Sequence, residues 1–184
     1  MAHVTPICDF GWKPPAFELS GTDGKMWNLE DIRGANGTLV MFICNHCPYV
    51  KSIIDRIVDD AGVLQDAGVG VAAICANDAN VYPDDSFEHM KSFSSQNGFT
   101  FPYLHDESQT VARAWDAVCT PDFFGFNADL ELQYRGRLDE SGKQPAPPDV
   151  KRELLEALKQ IAKTGRGPQE QTPSMGCSIK WKAA

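Results

Sequence analysis

The chain has 184 residues, enough for one domain with a buried core, and its 42% hydrophobic and 23% charged residues are ordinary for a globular protein. The net charge of -8, with no cluster of Lys and Arg against it, argues against nucleic acid or an anionic membrane as a partner. No apolar run approaches membrane-spanning length, and residues 1–6 lack the basic start and apolar stretch of a signal peptide. We therefore expect a cytoplasmic protein whose six cysteines are mostly reduced.

The start of the chain predicts a leader followed by a hairpin. Residues 1–15 are rich in proline and are interpreted as an irregular N-terminal leader. Residues 17–19 alternate apolar and polar side chains, residues 21–24 are rich in turn formers, and residues 26–29 can return as a second strand. This pattern predicts a β-hairpin.

The most informative stretch is a C-x-x-C motif, Cys44-Asn45-His46-Cys47, which follows the apolar run Leu39–Ile43. An amphipathic helical pattern starts directly after it and continues to Asp66, so the motif lies on a strand-to-helix turn. The free N–H groups and positive dipole end of a helix stabilise a thiolate, the form of cysteine that attacks. The spacing lets one cysteine attack a partner and the other release the mixed disulfide.

Two neighbours of the cysteines bear on their reactivity. His46, in its charged form, is expected to lower the pKa of the thiols beside it. If Cys47 is the helix cap, Pro48 takes the first helical position, where its missing N–H is tolerated. If Cys44 is the cap, Pro48 falls where the helix needs a backbone N–H donor. Spacing alone leaves the attacking sulfur unassigned.

A structural zinc site is the alternative use of a C-x-x-C motif. Such a site needs four ligands, usually with a second close pair. The remaining cysteines are scattered singly and the remaining histidines form no H-x-x-x-H pair; these residues are Cys8, Cys75, Cys119, Cys177, His3, His89 and His105. The sequence therefore favours redox chemistry, with no metal and no cofactor.

Downstream of the motif the pattern alternates between strands and helices. Val69–Ala76 is a continuous apolar strand, typical of a sheet covered by helices on both faces, and makes Cys75 a core residue. The later elements are predicted as a helix from Pro83 to Gly98, a strand over 99–104, a helix over 108–117, a strand pair around 127–129, and a helix from Val150 to Ala162 that Gly165 ends.

This order of elements resembles the thioredoxin fold, and the match covers most of residues 15–164. It implies an α/β domain over residues 16–164, with a central mixed β-sheet flanked by helices and an N-terminal β-hairpin extension, and a C-terminal tail, residues 165–184, packed on the domain. Four motifs resemble the peroxiredoxin-like branch of the thioredoxin superfamily, the alkyl hydroperoxide reductase/thiol-specific antioxidant-like group: Phe42–Val50, Cys119–Phe124, Tyr134–Arg137 and Gly176–Lys182.

The C-x-x-C motif and the histidine within it predict a catalytic site made of Cys44, Cys47 and His46. The resemblance implies a cis Thr120-Pro121 bond beside the cysteines, with the Thr120 backbone free to hold an extended substrate thiol or peptide; the alternative is an ordinary trans proline that starts an edge strand. The chemistry allows the cis bond, because X-Pro bonds have only a small trans preference.

The tail and the last strand carry further candidates. Cys177 is a candidate resolving thiol that folds back toward the C-x-x-C motif. The alternative for this tail is that Trp181 pins the terminus through its burial. Arg135 and Arg137 are expected at a solvated strand end, with stabilisation of a thiolate as the alternative.

The chain departs from both parent patterns. A peroxiredoxin carries Pro-x-x-x-Thr/Ser-x-x-Cys, but counting back from Cys47 gives Cys44 and Val40, so the hydroxyl that orients the peroxide is missing. Where a peroxiredoxin has an activating Arg, this chain has Pro121, and where thioredoxin has Trp before its first cysteine, this chain has Ile43. Neither parent activity transfers intact.

These observations predict a thiol-disulfide oxidoreductase, acting in redox homeostasis and antioxidant defence through Cys44 and Cys47. Its electron donor would be a thiol/disulfide protein or a small thiol. One alternative is a thiol-dependent peroxidase with a hydroperoxide substrate. Another is a Cu(I)-binding module that uses Cys44, His46 and Cys47, which together offer soft ligands.

Overall fold

The computed structural model describes residues 2–183. Within that range ten strands form in chain order: β1 (Ala2–Val4), β2 (Glu18–Gly21), β3 (Met26–Asn28), β4 (Gly37–Phe42), β5 (Val69–Cys75), β6 (Tyr103–His105), β7 (Cys119–Thr120), β8 (Asp122–Phe126), β9 (Leu132–Tyr134) and β10 (Met175–Ser178). The same range holds six α-helices: α1 (Leu29–Ile32), α2 (Pro48–Lys51), α3 (Ile54–Asp66), α4 (Phe87–Gln96), α5 (Thr110–Ala114) and α6 (Glu153–Thr164). A 3-10 turn, Pro83–Asp85, precedes α4.

Seven of the strands make one mixed sheet in the order β3-β2-β6-β5-β4-β8-β9. Strand β4 runs parallel to β5 and antiparallel to β8, and β6 runs parallel to β5. The hairpin of β2 and β3 extends one end of the sheet. The α/β class, the central mixed sheet and the N-terminal hairpin extension are confirmed.

Helices cover both faces of this sheet. Successive side chains of a strand point to opposite faces, so Leu39 and Met41 of β4 enter one hydrophobic core while Val40 and Phe42 enter the other. Helices α3 and α6 close the first core, and α1 and α5 close the second. The burial of β5 on both faces is confirmed, and Cys75 is a core residue as expected.

The helix predicted to run from Pro48 to Asp66 is divided into α2 and α3. The Ser52 hydroxyl donates to the Tyr49 carbonyl at 3.2 Å, and the Ile53 N–H, which would bond that carbonyl in a continuous helix, donates to Val50 instead. Competition by a serine side chain for a backbone carbonyl commonly bends a helix. The break keeps α2 short directly after the cysteines.

A second, three-stranded antiparallel sheet joins the two ends of the chain in the order β1-β10-β7. Residues 2–4 therefore form a strand, although the leader was expected to be irregular. In the tail, Ile179 is buried and Trp181 is 38% exposed under Arg113, so Trp181 does not pin the terminus through its burial. No helix of residues 2–183 combines the length and apolar character needed to cross a membrane.

The expectation that Arg135 and Arg137 lie at a solvated strand end is wrong. Arg135 is 6% exposed, and its Nη2 pairs with the buried Asp122 carboxylate at 3.0 Å. Arg137 is partly buried and pairs with Glu153 of α6 at 2.8 Å. The strand end lies against α6 and the tail, so both cations need buried or partly buried partners.

Candidate active site

The C-x-x-C motif lies between the end of β4 and the start of α2. Cys47 is the N-cap residue of α2 and Pro48 takes the first helical position, where its missing N–H costs no hydrogen bond. This resolves the two capping alternatives in favour of Cys47. The partial positive charge of a helix start favours a thiolate at that position.

Both sulfurs of the motif face the loop that carries Thr120. Cys44 Sγ lies 3.4 Å from Thr120 Oγ1, and the Cys47 thiol donates to the Thr120 carbonyl oxygen at 3.2 Å. The Thr120–Pro121 bond is cis, as the resemblance implied. Cys44 is 1% exposed and Cys47 0% exposed, so solvent reaches neither sulfur directly.

The two thiols affect one another's pKa in opposite directions. A hydrogen bond from Cys44 lowers the pKa of Cys47, in spite of burial, and hydrogen bonds from Thr120 and Cys177 act in the same direction. The same contact with Cys47 raises the pKa of Cys44, and burial and the negative charge of Asp85 raise it further. Cys47 is therefore the sulfur suited to attack, while Cys44 retains a proton.

Asp85 is a site residue that the sequence reasoning missed. Its carboxylate is fully buried and accepts hydrogen bonds from the backbone N–H of Asn45 at 2.8 Å, from that of His46 at 3.3 Å and from the Asn77 side chain at 2.8 Å. It thereby fixes the two residues between the cysteines. The sequence offers no signal that separates Asp85 from its exposed neighbour Asp84, because both suit the turn before α4.

His46, which was expected to lower the pKa of the thiols, faces Asp85. Its ring stacks on Tyr82 with the ring centres 5.5 Å apart, and its Nδ1 lies 2.5 Å from Asp85 Oδ2 at an angle outside hydrogen-bond geometry. The contact is therefore ionic when the ring is charged. The lowered pKa of Cys47 comes first from Cys44, and the nearby charge of Asp85 raises that of Cys44.

Among residues 2–183, one group of side chains has the composition of a metal site: Cys44, His46 and Asp85, whose ligand atoms lie within 4.8 Å of one another. Cys47 is not part of it, so the Cu(I) ligand set considered above is not brought together as a whole. Two ligands about 2 Å from one tetrahedral ion lie about 3.3 Å apart. The 2.5 Å contact between His46 and Asp85 is closer than that and fits an ion pair better than a metal site.

Cys177 lies beside the motif, although it is far from it in the sequence. Strand β10 runs antiparallel to β7 and sets Cys177 opposite Thr120. Cys177 is half-buried and lies opposite Thr120, whose carbonyl accepts the Cys47 thiol, close enough that it lowers the pKa of Cys47. Burial, and then the contact with Cys47, raises the pKa of Cys177 to about 11.

The pairing of β10 also changes the expected substrate site. The Thr120 backbone was expected to be free for an extended substrate, but it is paired with Cys177. Cys119, the neighbouring cysteine of β7, is fully buried, and burial followed by the charge of Asp122 raises its pKa. Cys119 is therefore a small core residue in this state.

Residues 10–136, well over half of the chain, match the AhpC/TSA family. The chain belongs to that family. The chain is similar to other proteins both in sequence and in structure. A Mycobacterium tuberculosis protein named "Putative peroxiredoxin" is 28% identical over 133 residues, which cover 72% of this chain and 80% of the relative.

Two solved structures place this AhpC/TSA chain among known folds. An uncharacterized conserved protein from Geobacillus kaustophilus is 43% identical, with a TM-score of 0.94 over 100% of this chain and 98% of the other. The thioredoxin domain of a thiol-disulfide oxidoreductase from Bacteroides vulgatus is 16% identical, with a TM-score of 0.58 over 68% of this chain and 86% of the other. The fold is thioredoxin-like, and the family supports a thioredoxin-like redox function.

The site also shows how this AhpC/TSA chain departs from the peroxiredoxin pattern. Cys44 stands where the orienting hydroxyl is expected, three residues before Cys47. A different hydroxyl, that of Thr120, lies beside the sulfurs. Arg135 is bound by Asp122 and by the Asp116 carbonyl rather than directed at a thiol.

Proposed function

We propose that the protein is a thiol-disulfide oxidoreductase in which Cys44 and Cys47 cycle between a dithiol and a disulfide. The observation that carries the proposal is the position of both sulfurs at Thr120, with Cys44 Sγ 3.4 Å from its hydroxyl and the Cys47 thiol 3.2 Å from its carbonyl oxygen. In this arrangement the two thiols lower the pKa of Cys47 and raise that of Cys44. A low-pKa thiol beside a protonated one combines an attacking group with a proton donor.

The reaction balances with these two thiols alone. The Cys47 thiolate attacks one sulfur of a disulfide substrate, and the other substrate sulfur leaves as a thiolate that takes the Cys44 proton. Cys44 then attacks Cys47, and the second substrate sulfur leaves and takes up a proton from solvent. One disulfide is reduced to two thiols and the Cys44–Cys47 disulfide forms, with two electrons transferred. An external thiol/disulfide protein or small thiol returns the pair to the dithiol, so no cofactor is required.

Thr120 and Pro121 are proposed to orient the reacting sulfurs. The Thr120 hydroxyl lies 3.4 Å from Cys44 Sγ, close enough to donate to a thiolate formed there during the second step. His46 and Asp85 are proposed to hold the turn between the cysteines. Redox homeostasis and antioxidant defence remain the physiological roles that this chemistry suits.

A redox titration tests the couple. The protein is equilibrated in dithiothreitol buffers of graded potential, and free thiols are alkylated and mapped by mass spectrometry. Cys44 and Cys47 are expected to become protected together, in one two-electron transition that Cys8→Ser leaves unchanged and Cys44→Ser abolishes. If both cysteines stay alkylated at every potential, the proposal fails.

A thiol-dependent peroxidase is the second candidate, favoured by the Thr120 hydroxyl beside the sulfurs and by the name of the Mycobacterium tuberculosis relative. In that reaction Cys47 attacks the peroxide, an alcohol or water leaves, and a second thiol converts the sulfenate to a disulfide with loss of water. Reduced protein is exposed to one equivalent of hydrogen peroxide or of oxidised glutathione. Faster oxidation by peroxide indicates the peroxidase, and faster oxidation by glutathione disulfide indicates the oxidoreductase.

A further inference from the structure

The Cys44–Cys47 pair has no open route to a protein partner. Neither cysteine is more than 1% exposed, and β10 pairs with the backbone of Thr120 beside them. Thiol-disulfide exchange needs the attacking sulfur to approach the disulfide directly, so access limits its rate. A cysteine on a folded partner cannot make that approach while β10 stays in place.

Strand β10 occupies the position that an added substrate strand would take. An extended peptide can bind an exposed strand edge through backbone hydrogen bonds. Here the backbone of Cys177 faces that of Thr120 in antiparallel register, and the carbonyl of the same Thr120 accepts the Cys47 thiol at 3.2 Å. The chain thus supplies its own strand and its own cysteine at the edge of the site.

This strand is held at both ends. Before it, the Ser174 hydroxyl donates to the Pro121 carbonyl at 2.8 Å. After it, the Lys180 N–H donates to Asn77 Oδ1 at 2.8 Å, and the same Asn77 side chain donates to Asp85. A partner therefore meets an anchored strand whose cysteine is half-buried, rather than a loose tail that it can displace.

We propose that Cys177 is the sulfur through which protein thiols exchange electrons with the Cys44–Cys47 pair. This inference rests on the proposed redox couple and adds the route by which a partner reaches it. Cys177 is a catalytic residue in this scheme because it forms bonds with the reacting sulfurs.

The exchange balances without a further oxidant. In the oxidised protein Cys177 first loses its proton, and its sulfur attacks Cys47. The Cys47–Cys177 bond forms, the Cys44–Cys47 bond breaks, and Cys44 takes up a proton. A partner thiolate then attacks Cys177, and Cys47 leaves as a thiolate. A second partner thiol attacks the mixed disulfide, so the partner becomes a disulfide and Cys177 a thiol. Cys47 suits the leaving role because a thiol of low pKa leaves faster.

The test compares Cys177→Ser with Cys8→Ser. Serine at 177 keeps a hydrogen-bond donor toward Cys47, and Cys8 is a matched control because it too is half-buried with a pKa raised to about 11. Each protein is oxidised at the Cys44–Cys47 pair, and its reduction by reduced thioredoxin is followed by alkylation and mass spectrometry. We expect Cys177→Ser to slow this reaction at least about tenfold and Cys8→Ser to match the parent protein.

Two further readouts keep the outcomes distinct. In Cys177→Ser, Cys44 and Cys47 are still expected to form their disulfide in one transition when the protein is equilibrated in dithiothreitol buffers. If the parent protein itself shows no such transition, the proposed function is refuted rather than this inference. In Cys44→Ala, one equivalent of oxidised glutathione is expected to leave a Cys47–Cys177 disulfide. A stable glutathione adduct on Cys47 beside a free Cys177, or an unchanged thioredoxin rate in Cys177→Ser, overturns the inference.

Discussion

The backbone of Thr120 pairs with that of Cys177 in antiparallel register, which joins the C-terminal tail to the cis-proline loop. This pairing places the tail cysteine opposite the residue whose carbonyl accepts the Cys47 thiol and covers the backbone edge beside the C-x-x-C motif. The tail is therefore part of the candidate active site. Five predictions follow from this site and the contacts that hold it.

Replacing Cys44 should raise the pKa of Cys47. The hydrogen bond from Cys44 is the main cause of the lowered value, so Cys44→Ala should move it back toward the usual 9.0. We expect thiolate absorbance at 240 nm, measured at pH 7, to fall at least about twofold. Cys75→Ala, which removes a buried thiol whose pKa burial raises to about 12, should leave the signal unchanged. An equal loss in both variants would contradict the assignment.

The same pKa predicts how stability depends on pH. The pKa of Cys47 in the folded protein lies below its value of about 9.0 in the unfolded chain. The Cys47 thiolate therefore stabilises the reduced fold fully above pH 9, and this stabilisation is lost as the pH falls from 9 toward the pKa of the folded state. The difference in unfolding free energy between the parent protein and Cys47→Ala should therefore narrow from pH 9 into the acid range. Urea denaturation under reducing conditions measures it, and a difference that widens on acidification would contradict the sign.

Replacing Asp85 should loosen the turn between the cysteines. One carboxylate oxygen of Asp85 accepts from the backbone N–H groups of Asn45 and His46, and the other accepts from the Asn77 side chain. In Asp85→Asn an NH2 group replaces one of these oxygens and cannot accept, so at least one buried donor loses its partner. We expect a loss of about 1–3 kcal/mol in unfolding free energy, with a lower pKa for Cys44 because a negative charge is removed.

Asp84→Asn is the matched control, since Asp84 is the exposed residue next to Asp85. It should change the unfolding free energy by less than about 0.5 kcal/mol. Equal stabilities for the two variants in urea denaturation would show that the buried carboxylate does not hold the turn.

Breaking the buried ion pair between Asp122 and Arg135 should be costly. Asp122→Ala leaves the Arg135 guanidinium buried without its carboxylate partner, and we expect a loss of about 3–5 kcal/mol. Glu30→Ala removes the partner of Arg33 from a more exposed pair and should cost less than about 1 kcal/mol. Guanidinium denaturation compares them, and similar losses would refute the assignment of Arg135 to a buried pair.

Adding a methyl group at Gly176 should detach β10 from β7. A Cβ there would overlap the carbonyl oxygen of Thr120, and β10 cannot keep its register without moving away. Gly176→Ala should therefore raise the rate at which iodoacetamide modifies Cys47 by at least about tenfold, because the covering strand opens.

Gly62 provides the control for this substitution. It lies within α3, and a Cβ added there meets no atom within 4 Å. Gly62→Ala should leave the alkylation rate of Cys47 unchanged and stabilise the helix by about 0.5–1 kcal/mol. Protection of Cys47 in both variants would show that β10 does not limit access.

The sequence by itself determined the class of fold and located the candidate pair of cysteines. The apolar strands, the helical periods and the C-x-x-C motif between Leu39 and Asp66 depend on local spacing, which the sequence displays directly. The β2–β3 hairpin follows from the same kind of local signal, whereas the cis Thr120–Pro121 bond was implied by the resemblance. The motif resemblance correctly indicated the family.

Only the tertiary structure decided which groups surround those sulfurs. Asp85, Cys177 and the backbone of Thr120 meet the motif from distant parts of the chain, and no periodicity records which of two adjacent aspartates turns inward or where a tail strand pairs. Burial also explains the ion pair of Arg135. Because α6 and the tail cover the strand end, the Arg135 cation is buried and pairs with the Asp122 carboxylate. Local spacing determines the elements, whereas contacts between distant segments determine the pKa values and the access of the thiols, because charge and burial act through space.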